Sequence, residues 1–295
     1  MMIEKSVFIV IVNYNGWKDT IEAVKSLQCI DGINITVVVV DNQSTDDSIV
    51  ILKRTLGESI VLIEAPENKG FSYGNNIGIQ YAMKNHADFV LLLNNDTVVD
   101  EDFITPLVHF AETEPKCGCI SPRIYYNDDR NMIWYDGGSF QSFFCKADHL
   151  RFNERGSTVS GIQKTKFVSG CCMLLPVRMI ETVGLMDERY FLYVEDTEYC
   201  LRMMRHGYAL YWDADCHIYH KVSASTGKIS DLAQYYSIRN RLLLGETYLN
   251  GFQKFTTGLY NIVFYLYKLA RGRFQLKMVI RAYKDFNGGK FDKTF

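Results

Sequence analysis

Two acidic clusters in this chain have the residue types and the spacing for chemistry. Asp96 ends the sequence Asn94-Asn95-Asp96, directly after an apolar run, and a carboxylate there suits a hard divalent cation, which prefers oxygen ligands. Glu195 and Asp196 open a helical pattern that continues to residue 206. Such a carboxylate is a general base if it lies beside reacting groups and is partly shielded from water. It is a purely structural acid if it only complements the positive end of the helix dipole, and the sequence leaves both interpretations open.

A third cluster, Cys216, His217 and His220, follows an apolar stretch at 208–212 that predicts a strand. The Cys-His-x-x-His spacing suggests zinc, but structural zinc sites usually pair it with a second Cys or His knuckle, which makes this signal weak. A histidine satisfied within the core is the commoner case. The sharper alternative is that one imidazole joins Asp96 on a cation.

Alternating strands and helices must position these clusters. Continuous apolar, β-branched runs predict buried strands at 7–12, 35–40, 60–63 and 88–93. Helical spacing predicts helices at 17–29, 46–56 (with Ser44 or Thr45 as N-cap), 72–84 and 177–183, and a helical region from residue 232 onward. This series implies an α/β fold with a mostly parallel, doubly wound sheet. The stretch 115–168 is less regular, and the aromatic segment 190–194 is interpreted as a strand.

Polar residues follow each of the four early strands, at 13–15, 41–44, 67–70 and 94–96. Each group alone can be merely a turn, but in a doubly wound sheet ligands bind outside the carboxyl ends of the strands. The chain lacks a GxGxxG loop after its first strand and a Walker A loop. The sequence therefore predicts a nucleotide held by side chains, with Tyr14 stacking on a base and Asp41 accepting hydrogen bonds from a base or ribose.

These blocks, in this order, resemble the inverting family 2 glycosyltransferases of the GT-A fold, especially the bacterial rhamnosyltransferase-like branch. The resemblance spans roughly 7–241 and rests on the blocks 9–16, 40–48, 68–78, 92–96, 169–174, 184–191, 195–202 and 236–241, with His220 between the last two. It implies a Rossmann-like GT-A domain. We expect that domain at 1–230 and a helical C-terminal extension at 231–295.

The resemblance also implies a role for each block. Asp196 is the expected catalytic base with Glu195 beside it, and Asp96 with His220 is expected to bind Mg or Mn. Donor contacts are expected from Asn13, Tyr14, Asn15, Asp41, Asn68, Gly70, Asn75, Asn76, Asn95 and Asp96. Contacts to the acceptor or the diphosphate are expected from Gly170, Arg239 and Asn240.

The implied activity is inverting transfer of rhamnose or another hexose from a nucleotide-diphosphate sugar to a hydroxyl of a glycan or lipid-linked acceptor, in cell-surface polysaccharide synthesis. Asn94 and Asn95 stand where the family has acids, which leaves fewer charges for a cation. That substitution keeps open an inactive glycan- or nucleotide-binding scaffold of the same fold, against which the presence of Asp196 and His220 argues. A sugar-phosphate nucleotidyltransferase would want a Gly-rich basic loop after the first strand, which this chain lacks.

Charge is distributed unevenly along the chain. The composition, 47% hydrophobic and 22% charged with a net charge of −2, is that of a globular protein without a field that recruits nucleic acid. From Gly251 onward the chain contains nine basic and two acidic residues, so this stretch has a net charge of +7 and the remainder a net charge of −9. Apolar residues recur there at helical spacing over 259–270. Either this helix packs on the core with a solvated basic face, or it lies on an anionic membrane surface.

The setting is predicted from the cysteines and the first residues. Eight cysteines form no CxxC pair, and the chain enters a strand pattern without a signal-peptide layout. No apolar run reaches the roughly 18–20 residues of a spanning helix. These features favour a reduced, cytoplasmic setting, peripheral at the inner face of the cell membrane if the extension binds lipid.

Overall fold

The computed structural model describes residues 5–222 and 230–294. The strands in these ranges are β1 (Ser6–Asn13), β2 (Asn34–Asp41), β3 (Val61–Glu64), β4 (Phe89–Leu93), β5 (Thr97–Val98), β6 (Cys117–Tyr126), β7 (Ile133–Tyr135), β8 (Gly138–Gln141), β9 (Lys146–His149), β10 (Ile162–Thr165), β11 (Cys172–Pro176) and β12 (Ala209–His220). The helices are α1 (Trp17–Ser26), α2 (Ser48–Leu56), α3 (Phe71–Lys84), α4 (Ile104–Thr113), α5 (Val177–Val183), α6 (Glu195–Arg205), α7 (Asp231–Tyr248), α8 (Gly251–Ala270) and α9 (Leu276–Asn287).

One half of the central sheet is parallel, as the apolar runs predict. The order β4-β1-β2-β3 has parallel pairing throughout. Residues of β1 such as Ile9 are fully buried, which explains the unbroken apolar sequence of strands covered on both faces. Asn13 lies opposite Asp41 at the end of the β1–β2 register. The polar residues after these strands therefore lie along one edge of the sheet, as expected. This edge, formed by residues 13–15, 41–44, 67–70 and 94–96, is called the rim below.

The other half of the sheet is mixed. Strand β11 runs antiparallel between β4 and β6, whereas β6 and β12 are parallel to each other. Strand β6 falls in the stretch that the sequence marked as less regular, because Gly118 and Pro122 interrupt its apolar pattern. Strand β12 extends past the predicted 208–212 as far as His220, through a register shift between Asp213 and His217.

Two local predictions are wrong. The segment 190–194 is not a strand, because Tyr193 and Val194 adopt φ values of 68° and 76° and turn the chain into α6. Helix α2 begins at Ser48 with Asp47 as N-cap residue rather than Ser44 or Thr45. The Ser44 hydroxyl instead donates a hydrogen bond to Asp41 over 2.7 Å.

The C-terminal helices attach to the loop that precedes α6. Helices α7 and α9 pack together, and Phe191 stacks on Tyr236 with ring centroids 4.9 Å apart. The predicted division of the chain after residue 230 stays a prediction, and residues 223–229 beside it lie outside the described part. All eight cysteines lie in the described part as free thiols, and seven are buried.

Helix α8 exposes most of its apolar residues, unlike a helix that packs its apolar face on the core. Its buried residues are Thr257, Asn261 and Tyr265, whereas Val263 and Leu266 are 68% and 62% exposed. The interpretation that the apolar stripe packs on the core is therefore wrong. In the described ranges, no helix has the length and apolar character needed to cross a bilayer.

Candidate active site

Asn13 and Asp41 form the fixed centre of the rim. Nδ2 of Asn13 donates to Oδ2 of Asp41 over 2.8 Å and to Oγ of Ser44 over 3.1 Å. Oδ1 of Asn13 accepts a hydrogen bond from Thr20 over 2.7 Å. Both Asn13 and Asp41 are fully buried. In this conformation they shape the loop after β2, and their direct contact with a donor stays a prediction.

Asn15 fixes the same loop from the other side. Its Oδ1 accepts a hydrogen bond from the backbone N–H of Thr45 over 2.7 Å, and its own backbone is left-handed, with φ at 52°. The neighbouring Tyr14 side chain points outward and is 45% exposed. An exposed ring on a rigid loop is suited to stacking on a flat ligand.

A cavity of about 310 Å³ opens beside Tyr14. Its lining includes Asn42, Asn68 and Gly70 from the rim and Phe191 from the loop before α6. Nδ2 of Asn42 donates to Asn68 and to the Gly70 carbonyl, but Oδ1 of Asn42 is buried with no partner in the described ranges. Because an unpaired buried acceptor is costly, this oxygen is a candidate acceptor for a ligand N–H or O–H. The sequence marked Asn42 only as part of the polar cluster 41–44.

Gly70 joins the rim to the loop before α6. Its φ is 96°, and a Cβ there would lie 2.0 Å from the carbonyl oxygen of Phe191. The N–H of Phe71 donates to that same oxygen over 2.8 Å. The close backbone approach explains why position 70 holds a glycine, since any side chain would block it. Direct contact of Gly70 with a donor stays a prediction.

Asn75 and Asn76 lie apart from this cavity. Nδ2 of Asn75 donates to the Phe71 carbonyl within α3 over 2.9 Å. Asn76 both donates to the Met186 carbonyl over 2.9 Å and accepts from the Met186 N–H over 3.0 Å. Asn76 therefore joins α3 to the 186–188 loop, whereas the hydrogen bond of Asn75 stays within α3; direct contact of either residue with a donor stays a prediction.

Asp96 and His220 meet at the end of β12. Nε2 of His220 lies 3.1 Å from Oδ1 of Asp96, and a T-shaped contact with Trp134, 4.4 Å between centroids, holds the imidazole. Burial raises the pKa of Asp96, but the hydrogen bond with His220, together with a backbone hydrogen bond and nearby positive charge such as that of Lys221, outweighs it, so the net shift is downward. Asp96 is therefore an ionised ligand at neutral pH. Nδ2 of Asn95 donates to Thr20 over 3.1 Å, which holds its amide on α1.

This pair is a small but compatible set for a divalent cation. No group of three or more His, Cys, Asp or Glu side chains with ligand spacing occurs within 5–222 and 230–294. His217 pairs instead with Glu101, 2.7 Å from its Nδ1, so the zinc interpretation has no geometric support. A carboxylate ligand is compatible with either of the expected cations, Mg or Mn.

Asp196 lies at the start of α6 with both carboxylate oxygens held. Oδ2 accepts from the N–H of Gly170 over 3.0 Å, and Oδ1 accepts from the N–H of Thr197 over 2.7 Å. Burial raises the pKa of Asp196, and these two hydrogen bonds offset only part of that effect. A carboxylate whose pKa lies closer to the working pH is a stronger base, so both the geometry and the electrostatics support this role.

Glu195 faces inward beside Asp196. Its Oε2 is buried without a partner in the described part of the chain. Burial first, and the charge of Asp196 second, raise its pKa well above the usual range. Glu195 therefore keeps its proton to a higher pH than an exposed glutamate does, and its direct catalytic role stays a prediction.

Arg239 and Asn240 hold the loop that carries Asp196. Nδ2 of Asn240 donates to the carbonyls of Leu192 and Tyr193 over 2.9 and 2.8 Å. These hydrogen bonds hold the turn before α6, in which Tyr193 and Val194 have positive φ values. Nη2 of Arg239 donates to the Arg189 carbonyl over 3.2 Å. Both side chains are fully buried, so the geometry supports positioning rather than contact with an acceptor or diphosphate.

Asp96 and Asp196 both lie near the residues that precede β11. A Cβ at Gly170 would lie 3.3 Å from Cβ of Asp196 and 3.5 Å from the Phe71 ring, which lines the cavity. Burial raises the pKa of the adjacent Cys171, and the charges of both Asp96 and Asp196 raise it further. Phe71, near Asp196, and Asn95, next to Asp96, both line the cavity, so the union of the cavity, the Asp96–His220 pair and Asp196 in one site stays a prediction.

Lys293 also lies at this cavity, and no sequence pattern predicts its position there. Its Nζ lies 5.8 Å from the centroid of the Tyr14 ring, although the two residues are at opposite ends of the chain. It lines the cavity of about 310 Å³ and also an adjoining one of about 570 Å³. In the sequence it is one of nine basic residues of the C-terminal stretch.

Residues 8–184 match the family model described as glycosyl transferase family 2. The chain belongs to this family. Membership confirms the predicted enzyme class, a nucleotide-sugar-dependent glycosyltransferase. The matched residues contain the rim, Asp96 and Gly170, whereas Asp196 and His220 lie beyond them.

Relatives of this family 2 member extend the similarity further along the chain. The dTDP-rhamnosyl transferase RfbF of Shigella flexneri is 26% identical over 253 residues, which cover 81% of this chain and 79% of that protein. The low-salt glycan biosynthesis hexosyltransferase Agl10 of Haloferax volcanii is 28% identical over 248 residues, with 81% and 75% covered. The expected likeness to rhamnosyltransferases is confirmed.

A solved structure confirms the GT-A fold. GalNAc-T7, crystallised with UDP, GalNAc and Mn²⁺, superposes with a TM-score of 0.65 at 14% identity. The match covers 97% of this chain but 55% of GalNAc-T7, so the chain spans about half the length of that protein.

Proposed function

We propose that this family 2 member is an inverting hexosyltransferase, such as a rhamnosyltransferase. It transfers the sugar of a nucleotide diphosphate to a hydroxyl of a glycan or lipid-linked acceptor in cell-surface polysaccharide synthesis. The observation that supports the proposal is the cavity beside Tyr14, because it is lined by Asn95, next to Asp96, and by Phe71, which lies near Gly170 and Asp196. The names of the two relatives support a hexose, and the first of them supports rhamnose.

In this mechanism Asp196 removes the proton of the acceptor hydroxyl. The acceptor oxygen forms a bond to the anomeric carbon from the face opposite the diphosphate, and the bond between that carbon and the diphosphate oxygen breaks, which inverts the centre. The N–H groups of Gly170 and Thr197 keep both oxygens of Asp196 in a fixed plane during this transfer. The proton remains on Asp196 and the nucleoside diphosphate leaves.

Asp96 and His220 would hold Mn or Mg at the leaving group. The bound cation supplies positive charge to the departing diphosphate. The ionised state of Asp96 and the ring contact that orients His220 support this assignment. The Mn²⁺ in the GalNAc-T7 crystals supports a divalent cation in this fold.

The donor proposal is tested by binding and turnover together. UDP-, GDP- and dTDP-hexoses are screened, each with Mn²⁺ or Mg²⁺, for a rise in melting temperature and for release of the nucleoside diphosphate. We expect one nucleotide to raise the melting temperature, because a ligand that binds only the native state stabilises it, and to be released with metal. Binding without any release, with or without oligosaccharide acceptors, would indicate an inactive scaffold instead.

We also propose that α8 rests on the anionic inner face of the cell membrane, which would make the protein peripheral and cytoplasmic. The inward face of α8 is polar, since Asn261 accepts from Arg241 over 3.1 Å and Thr257 donates to the Phe143 carbonyl over 3.1 Å. The outward face carries exposed Phe252, Phe255, Leu259, Ile262, Val263 and Leu266. Lys268, Arg271, Arg273 and Lys277 follow this face, and basic residues beside an apolar surface favour anionic lipid.

A further inference from the structure

Lys293 is the only charged residue among those that line the cavity beside Tyr14, in the part of the chain that the structure describes. The other two basic residues that line the adjoining cavity are already paired, Lys69 with Glu67 at 2.6 Å and Arg189 with Asp187 at 2.6 Å. Lys293 forms no ion pair with a carboxylate of the described ranges, and its ammonium lies 5.8 Å from the centroid of the Tyr14 ring. It is therefore a cation available to an anionic ligand.

The backbone on both sides of Lys293 is anchored. The N–H of Thr294 donates to the Tyr236 hydroxyl over 2.9 Å, and Arg281 donates to the Thr294 carbonyl over 3.0 Å. Nη1 of the buried Arg239 donates to the Asp292 carbonyl over 3.3 Å. These anchors use backbone atoms, so they hold the segment over the cavity without engaging the Lys293 side chain.

The donor imposes a charge requirement that this lysine meets. A nucleoside diphosphate carries several negative charges, whereas the rim residues that line the cavity are uncharged and include the amides Asn42, Asn68 and Asn95. A cation held by Asp96 would neutralise part of this charge, and charge-assisted hydrogen bonds from an ammonium are a common source of the remaining neutralisation.

We propose that Lys293 binds the diphosphate of the donor, so that the segment 291–294 completes the nucleotide site from the C-terminal end of the fold. This inference rests on the proposed function, because it takes the occupant of the cavity to be a nucleoside diphosphate. Lys293 then pairs with phosphate oxygens across the cavity, while Tyr14 stays available to the base.

The test compares affinities of the full chain for UDP, GDP and dTDP, and for the matching nucleosides, by calorimetry with Mn²⁺. For the diphosphate that binds best, we expect Lys293→Gln to weaken binding about tenfold or more, as for a lost hydrogen bond to a charged group. Nucleoside affinity should not change, and Lys293→Arg should keep most of the affinity. Lys290→Gln is the matched control, since Lys290 is exposed three residues away and lines neither cavity.

Each outcome decides a separate point. If the unchanged chain binds none of the three diphosphates, the donor proposal fails and this inference fails with it. If it binds one of them and Lys293→Gln binds it equally well, or more tightly, only the inference is wrong. An equal loss for diphosphate and nucleoside would also overturn it, because Lys293 would then support the Tyr14 side of the cavity. Equal melting temperatures for Lys293→Gln and the parent exclude a folding defect.

Discussion

The backbone N–H of Gly170 donates a hydrogen bond to Oδ2 of Asp196 over 3.0 Å. This contact joins the segment before β11 to the first turn of α6, and it orients a carboxylate whose pKa burial has raised. A buried carboxylate needs such partners in a structural role as well as in a catalytic one. The general-base interpretation therefore stays a prediction, and a variant of Asp196 tests it.

Asp196→Asn should lower kcat by about 10²-fold or more, the range of a lost general base. An asparagine oxygen can still accept the Gly170 hydrogen bond, so donor affinity should remain close to that of the parent. Steady-state kinetics with calorimetry of the nucleoside diphosphate measures both. Asp215→Asn, an exposed acid in β12, should leave both constants unchanged. Normal turnover by Asp196→Asn would rule out this base.

Glu195→Gln should change the dependence of stability on pH. The pKa of Glu195 is raised in the folded protein by burial and by Asp196, so the folded chain keeps a proton that the unfolded chain releases. Its contribution to stability is full below the unfolded pKa and is lost as the pH rises through the folded pKa. The glutamine variant should therefore gain in melting temperature relative to the parent as the pH rises above the usual glutamate range.

The measurement is a series of melting curves for both proteins across that pH range. Glu58→Gln, at an exposed position after α2, should give a curve parallel to that of the parent. If Glu195→Gln is also parallel, Glu195 is ionised in the fold and the predicted shift is wrong.

Asp96→Asn should remove the metal-dependent part of donor binding. The pKa of Asp96 is lowered by His220 despite burial, so the parent presents a charged ligand throughout the neutral range. We expect the Mn²⁺-dependent gain in nucleoside diphosphate affinity to fall by at least about tenfold, the lower end of the range for disturbed metal sites. Calorimetry with Mn²⁺ and with a chelator measures it. Asp128→Asn, at an exposed turn, should retain the full gain, and an unchanged gain in Asp96→Asn would contradict the site.

Gly70→Ala should disrupt the junction between the rim and the loop before α6. The added Cβ would lie 2.0 Å from the Phe191 carbonyl oxygen, at a φ of 96°. Left-handed strain alone costs about 1–3 kcal/mol, and we expect loss of nucleotide binding as the loop is displaced. Urea unfolding reports the stability change and calorimetry the binding change.

Gly258→Ala is the control, because the same substitution there should stabilise the protein rather than destabilise it. Gly258 lies within α8, and no atom lies within 4 Å of the added Cβ. That variant should gain up to about 1 kcal/mol from helix propensity. Equal urea midpoints for Gly70→Ala and the parent would show that the loop accommodates the methyl group.

Val263→Glu should weaken membrane association. Val263 is 68% exposed at the centre of the apolar face of α8, and losing its burial in lipid costs about 1.5 kcal/mol, close to tenfold in partitioning. Co-sedimentation with phosphatidylserine-containing and neutral vesicles measures the effect and its charge dependence. Val50→Glu, 66% exposed on α2, introduces the same change away from this face. Equal partitioning of the two variants and the parent would refute the membrane proposal.

The sequence by itself determined the parallel half of the sheet and the position of its rim. Unbroken apolar runs identify strands covered on both faces, and parallel topology then brings the ends of β1, β2 and β4 together. The same local patterns located the helix that opens at Glu195 and the apolar repeat of α8. These features depend on neighbours within a few residues, so side-chain periodicity is enough to predict them.

Only the tertiary structure decided which distant residues meet and which faces are covered. The contact between Asp96 and His220 spans 124 residues, and Lys293 reaches Tyr14 from the other end of the chain. The length of β12 depends on pairing with β6, whose own pattern Pro122 interrupts. The apolar repeat of α8 is compatible with a buried or an exposed face, because periodicity defines a face without specifying what covers it. Contacts between distant residues depend on how the whole chain packs, and that is why Lys293 emerged only from the fold.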